Sequence, residues 1–266
     1  MPTISLEYAE KINFESLFSK VFVISMAESL LISGDSMTQL TGQERAAYVQ
    51  NMFTRIAQRY DLMNRLMTGG QDIHWRKQVI KLARIDNHAS LLDLGTGTGD
   101  LARESISQFP QAKVIASDFT LEMMRVGKKT GPLNFSTADA LRLPFNDLSF
   151  DAVVSGFLMR NVTNLDKALE EQYRVLKNGG RIVILDTTRP RKNILSPFIW
   201  FHMHFIIPTL GGLLTGVSEA YRYLPETTEG FVTAEDMAAR MTKVGFKDVN
   251  FKRLMFGTIA IHWAEK

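Results

Sequence analysis

Ser90-Leu91-Leu92-Asp93-Leu94-Gly95-Thr96-Gly97-Thr98-Gly99-Asp100 is a short apolar strand that runs into a glycine-rich loop and opens a helix. Glycines in such a loop let backbone N–H groups approach a ligand closely, and the helix N-terminus favours a negative group there. The dinucleotide pattern G-x-G-x-x-G does not fit, because position 100, where its last glycine would fall, is Asp. Asp93, two residues before the first glycine, would repel a pyrophosphate. It suits the cationic amino-acid end of S-adenosylmethionine instead. Asp118 closes the next strand, where a carboxylate can accept hydrogen bonds from both hydroxyls of a ribose. Asp139, within Ala138-Asp139-Ala140, follows the third strand and can accept from an adenine amine. A single Asp reads as a cap or a turn, but three acids, each just past a consecutive strand, point to S-adenosylmethionine as cofactor. The expected cofactor-binding set is Asp93, Gly95, Gly97, Thr98, Gly99, Asp118, Asp139 and Ala140, with Ser155 and Gly156 at the end of the fourth strand.

Strands and helices alternate outward from this loop. Ser90–Leu94, Lys113–Ser117, Asn134–Thr137, Asp151–Ser155 and Arg181–Asp186 read as strands, and Leu101–Phe109, Leu121–Lys128 and Leu165–Leu176 as helices. Lys177-Asn178-Gly179-Gly180 reads as a helix end and turn. Such alternation predicts βαβ units and a parallel sheet. Thr233–Val244 reads as a further helix, with Thr233 as N-cap, Asp236 at the third helical position and Gly245 as the stop. Val249–Leu254 and Thr258–Trp263 read as a hairpin about Phe256-Gly257. The expected fold is α/β, a Rossmann-like, mostly parallel seven-stranded sheet ending in an antiparallel hairpin, the class I plan of S-adenosylmethionine-dependent methyltransferases.

Before the sheet, Tyr48, Met52, Ile56, Tyr60 and Met63 recur at helical spacing until Gly69-Gly70, and His74–Leu82 reads as a second helix. Residues 41–84 are therefore expected to form a helical cap on a single domain spanning 37–266, with an apolar substrate-side insertion at 190–230. Ile194 to Val217 carries no formal charge but contains Pro197, Pro208, Gly211, Gly212 and Gly216, which argues against a spanning helix. It reads as a substrate-tail channel or membrane-facing lid, or as a buried helical insertion. Residues 1–36 are either a leader ahead of a start at Met37 or a real N-terminal helix, and a chain beginning at Met37 is expected to stay folded and active.

The chain has no cysteine, which removes disulfides, thiolate zinc sites and Cys nucleophiles. The net charge of +3 comes without a Lys/Arg-rich run with interleaved aromatics, so no nucleic-acid partner is expected, while a mildly basic balance suits anionic lipid. His202 and His204 lack clustered acids and make a poor metal site, so no metal is expected. Met123 and Met124 read as core.

From about Val49 to the C-terminus the chain resembles the UbiE/MenG family of ubiquinone and menaquinone biosynthesis C-methyltransferases. The resemblance lies in Tyr60-Asp61-Leu62-Met63-Asn64-Arg65-Leu66-Met67 with Gly70 and His74-Trp75-Arg76-Lys77, and in Arg160-Asn161-Val162. It continues in Tyr173-Arg174-Val175-Leu176-Lys177 with Gly179-Gly180-Arg181, in Tyr221-Arg222-Tyr223-Leu224, and in the closing Gly257 to His262 segment. The chain departs from the family at Asn178, where Pro is frequent, at Leu185-Asp186-Thr187-Thr188, where Leu-Glu-Phe-Ser is frequent, and at Phe157-Leu158-Met159, which stands for Phe-Gly-Leu. The last two lie where substrate would meet cofactor and leave the ring substrate open.

The resemblance implies methyl transfer from S-adenosylmethionine to a ring carbon of a polyprenylated quinol, demethylmenaquinol above all. The expected catalytic residues are Arg160, stabilising the phenolate, and Asn161, orienting it, with Tyr60 one helical turn from Asn64 and covering the cofactor. The alternatives are a surface ion pair for Arg160 and core packing for Tyr60. The lipophilic quinol is the expected partner, with peripheral membrane contact and a homodimer as further ones, in a cytoplasmic protein at the inner face of the membrane. Other functions to weigh are methylation of another lipophilic acceptor such as a sterol or phospholipid amine, a non-catalytic cofactor-binding subunit, and a dinucleotide oxidoreductase.

Overall fold

The computed structural model describes residues 42–191, 194, 196–207, 209, 225 and 227–266, all within one compact unit, Leu40–Lys266. Residues 1–36, the Tyr221–Leu224 motif and the rest of the apolar insertion lie outside the described residues.

Among the described residues three helices precede the sheet: α1 (Gly42–Ile56), α2 (Tyr60–Met67) and α3 (Gln71–Ala83). Then come β1 (Ser90–Leu94), α4 (Asp100–Gln108), β2 (Lys113–Asp118), α5 (Leu121–Thr130), β3 (Asn134–Thr137), β4 (Phe150–Gly156), α6 (Leu165–Val175) and β5 (Leu176–Thr187). The chain closes with α7 (Ser196–Phe201), α8 (Ala234–Val244), β6 (Lys247–Leu254) and β7 (Ile259–Glu265). The seven strands run in the order β3-β2-β1-β4-β5-β7-β6. β7 is antiparallel between β5 and β6, and the other pairings are parallel. This is the expected sheet. Its order reverses at β1, so the crevice beyond the carboxyl ends of β1 and β4 is where a ligand fits.

The apolar runs are continuous because both sheet faces are covered. Leu92, Leu94, Val153, Ile182 and Ile184 pack on one side with Leu169 of α6 and Met237 and Met241 of α8. Leu91, Ala152, Val154, Val183 and Leu185 alternate to the other side, against Trp75, Val79 and Ile80 of α3 and Leu101 of α4. The cap of α8 forms as read. The Thr233 hydroxyl accepts from the Asp236 N–H, and the Asp236 carboxylate accepts from the Thr233 backbone.

Two local readings are corrected. The helical stretch 41–70 is two helices, broken at Ala57–Arg59 and closed by an Arg59 N–H to Ile56 carbonyl bond of 2.9 Å. Apolar spacing continues across the break, and no Gly or Pro marks it, so periodicity alone does not reveal it. Lys177-Asn178-Gly179-Gly180 is not a plain helix-ending turn. It is a bulge within β5, where Phe150 to Ala152 of β4 spans Leu176 to Arg181. Gly179 takes φ +75° there, and Gly179 and Gly180 exchange backbone hydrogen bonds with Lys266 at 3.0 Å.

Candidate active site

The loop after β1 fills the crevice. Gly95, Gly97 and Gly99 all have positive φ, at 68°, 58° and 99°. They turn the chain sharply between β1 and α4. A cavity of about 320 Å³ opens beside them, lined by Gly95, Gly97, Asp118, Asp139, Ala140 and Gly156 among others. A Cβ on Gly97 would lie 3.2 Å from Met123 Cε, so the backbone there is the cavity wall. Asp118 organises the loop: it accepts from the Gly97 N–H at 2.8 Å and the Thr120 N–H at 2.7 Å. Asp139 accepts from the Leu141 N–H at 2.9 Å. α1 roofs this cavity with Ala46, Val49, Gln50 and Phe53, and Gln50 Nε2 donates to the Phe119 carbonyl at 3.1 Å.

Asp93 lies below the loop in a small annex with Thr98, Asp100, Asp61 and Arg76. Its Oδ2 accepts from Thr96 Oγ1 and the Ala102 N–H, while Oδ1 is buried without a partner. Burial pushes its carboxyl up to about 7, against those two hydrogen bonds. The folded chain therefore binds a proton that the unfolded chain has already lost between pH ~4 and ~7. Stability from this group is complete below the unfolded value and is lost as pH rises through the folded one. Asp93→Asn should flatten that fall, an effect of a few kcal/mol at most. Urea midpoints at a series of pH values check it. A wild-type minus variant difference that stays flat across this window contradicts it.

Thr98 donates through Oγ1 to Asp61 Oδ1 at 2.8 Å, which ties α2 to the loop. Burial raises the Asp61 carboxyl, with the charge of Asp100 adding to it. Gly99 and Ser155 line none of these cavities. A Cβ on Gly99 would fall 2.4 Å from Leu133 Cδ1, so its absence serves helix–sheet packing. Ser155 is fully buried within β4, between Leu94 and Ile184.

A second cavity of about 400 Å³ adjoins the first and is mostly apolar. Phe53, Tyr60 and Phe157 line both. Arg160 and Asn161, adjacent in a 3-10 turn, part company: Arg160 lines the apolar cavity, whereas Asn161 lines the glycine-loop cavity and donates through Nδ2 to the Phe157 carbonyl. Side chains one step apart in such a turn project about a third of a revolution apart. Arg160 Nη1 lies 2.8 Å from Asp186 Oδ1, and both groups are buried. The ion pair expected as its alternative role thus exists, but inside the molecule. The guanidinium also stands 5.3 Å from the Phe157 ring centre. Tyr60 is half-buried, and burial raises its phenol against the Arg160 charge. It borders both large cavities and the annex.

Sequence reasoning gave no role to Asp61, Gln50, Asp186 or the cavity-lining His202. Of the other histidines, His262 is buried with Nε2 2.9 Å from the Ala234 carbonyl, and His74 is exposed beside Gln78.

Residues 37–266 match the ubiE/COQ5 methyltransferase family. The chain is 45% identical over 221 residues to the ubiquinone/menaquinone biosynthesis C-methyltransferase UbiE of Desulfotalea psychrophila, covering 82% of this chain and 90% of that one. It is 41% identical over 220 residues to the demethylmenaquinone methyltransferase of Thermus thermophilus, covering 81% of this chain and 100% of that one. Among solved structures, an S-adenosylmethionine-dependent methyltransferase of Thermotoga maritima superposes with a TM-score of 0.57 at 18% identity, over 81% of this chain and 98% of that one. At that identity the likeness carries the fold alone.

Proposed function

The chain belongs to the ubiE/COQ5 methyltransferase family, S-adenosylmethionine-dependent C-methyltransferases of quinone biosynthesis, and from that premise we propose that it methylates a ring carbon of a polyprenylated quinol, demethylmenaquinol to menaquinol. The observation that carries this is the pair of adjoining cavities, one walled by the glycine loop with Asp118 and Asp139 and one more strongly apolar, which share Phe53, Tyr60 and Phe157.

In this reading the glycine-loop cavity holds S-adenosylmethionine. Asp118 takes the ribose hydroxyls, Asp139 the adenine amine, and Asp93 and its annex the charged amino-acid end. The fit is supported by the close backbone wall at Gly97 and by the unpartnered Asp93 oxygen. The bound cofactor supplies an electrophilic methyl carbon. The protein's task is to align the acceptor, exclude water and stabilise charge on the ring oxygen. Arg160 faces the acceptor cavity with its guanidinium held by Asp186, so its charge is fixed before the substrate arrives. A cation there favours the phenolate-like transition state over the neutral quinol.

The apolar insertion supports a lipid-borne substrate. Ile199, Met203 and Ile207 turn inward to line the acceptor cavity, while Trp200, Phe201 and Phe205 are exposed. Phe198 and Phe256 line the cavity and also stand exposed, which makes its mouth apolar. Among the described residues no helix is long and apolar enough to cross a membrane. An exposed aromatic face beside an apolar mouth suits peripheral contact with a bilayer surface.

The test is transfer to reduced demethylmenaquinone and to the benzoquinol precursor, side by side. The naphthoquinol should react with the higher kcat/KM. Preference for the benzoquinol reassigns the substrate, and transfer to neither refutes the proposal.

A further inference from the structure

We propose that His202 is the catalytic base of the acceptor cavity, taking the proton of the ring hydroxyl beside the carbon that is methylated. This rests on the assignment of the apolar cavity to the quinol. A quinol is a weak carbon nucleophile and its phenolate a strong one, so a group near the ring must accept the hydroxyl proton.

Among the described residues, the lining of that cavity leaves few candidates. Arg160 is a permanent cation held on Asp186 and has no lone pair to offer. Burial keeps the Tyr60 phenol protonated. Asn64, Thr68, Thr187, Thr228 and Thr258 do not serve as bases near neutrality. His202 remains, and a neutral imidazole carries a ring-nitrogen lone pair that can take a proton.

The surroundings of the ring agree. Nε2 of His202 is buried and has no hydrogen-bond partner. Unpaired buried polar atoms are costly and uncommon, yet Thr228, which lines the same cavity, carries another at Oγ1. The two residues come from separate segments of the lining. An aromatic diol, with oxygens on opposite sides of its ring, would give them partners.

The local backbone aims His202 there. After α7 the helix widens into a π-turn over His202–Ile206, a distortion frequent at functional sites. His202 lies on the inward side with Ile199 and Met203. His204 does not line the cavity: it stacks on Trp200 at 4.8 Å between ring centres and reaches Glu229 at 3.6 Å. Among the described residues, the ionisable groups lining the cavity with His202 are Tyr60 of α2 and Arg160 of the turn after β4, while Met255, Phe256, Thr258 and Ile259 bring no charge from the last hairpin.

The proton balance closes. The hydroxyl proton moves to Nε2, leaving a phenolate beside Arg160 and an imidazolium. The ring's electron pair forms the new carbon–carbon bond as the methyl–sulfur bonding pair stays on sulfur. The methylated carbon then releases its own hydrogen to solvent as a proton. The imidazolium returns its proton to the ring oxygen, and His202 ends neutral.

The experiment uses the full chain with S-adenosylmethionine and a short-tailed reduced demethylmenaquinone in detergent micelles, over a pH series. His202→Gln and His202→Ala should lower kcat/KM for the quinol about a hundredfold, the low end of what a positioned base contributes. S-adenosylmethionine affinity, read by calorimetry, should be unchanged. Added imidazole should restore part of the rate of His202→Ala. Wild-type-like kcat/KM in both variants, or a His202→Ala rate that imidazole does not raise, overturns the proposal. Met203→Trp, which fills the same cavity, separates the two levels. If it binds S-adenosylmethionine and methylates normally, the cavity assignment falls and His202 with it. If it binds but does not methylate, while the His202 variants are unaffected, only His202 falls.

Discussion

Arg160→Ala is expected to lower kcat and kcat/KM for the quinol together, by about 10²- to 10³-fold, the loss typical of removing one group that stabilises developing negative charge. S-adenosylmethionine affinity should change little, because Arg160 lines the apolar cavity and not the glycine-loop one. The burial of the pair adds a second consequence. Asp186 would keep its Arg160 and Thr187 backbone N–H donors but lose its countercharge in the interior. Breaking a buried pair by removing one partner costs about 3–5 kcal/mol, and those N–H groups should hold the cost to the lower end. Arg160→Lys keeps charge but not the planar fork, so it should recover stability more than rate. Steady-state kinetics beside denaturant unfolding resolves the two effects. If donor affinity alone falls, Arg160 belongs to the donor site. If stability falls and the rate of the folded fraction does not, its role is structural.

Asp118→Ala is expected to weaken S-adenosylmethionine binding by about ten- to a hundredfold, the worth of one or two hydrogen bonds to a charged group. The effect has two sources. The carboxylate faces the cavity, and it also holds the N–H groups of Gly97 and Thr120, so its loss loosens the loop that the ligand must meet. Burial raises its pKa, so Asp118→Asn is the milder change and should fall between wild type and Ala. S-adenosylhomocysteine shares the ribose and should lose affinity by the same factor. Calorimetry with both ligands measures this. Unchanged affinity in a folded Ala variant removes Asp118 from the ribose site.

These two residues also show what was legible in the sequence. Asp118 could be found because it ends a strand at a fixed distance from the glycine loop, and strand ends in a parallel sheet converge on one edge. The same logic brought Asp93 and Asp139 to the cavity edge, and it gave Gly99 and Ser155, whose places are set by packing, the same weight. The seven-stranded order was likewise readable, because alternation of strands and helices leaves few right-handed topologies. Contacts between distant segments were not readable. Asp186 partners Arg160 across 26 residues and Asp61 reaches Thr98 across 37, and no periodicity encodes either. His202 sits in an apolar run where its neighbours Ile199 and Met203 follow core-like spacing, and only the fold brings it to the lining of a cavity. The helix break before Tyr60 was hidden for the same reason: the apolar repeat satisfies one long helix as well as two.

On the proposed function, donor and acceptor meet where the two cavities share Phe53, Tyr60 and Phe157, and a ring carbon is methylated. The most direct measurement is transfer of an isotopically labelled methyl group from S-adenosylmethionine to reduced demethylmenaquinone, with the labelled position in the product assigned by nuclear magnetic resonance. The label is expected on a ring carbon, with turnover lost when the acceptor cavity is filled by Met203→Trp. Label on a ring oxygen, or unimpaired turnover in that variant, would contradict it.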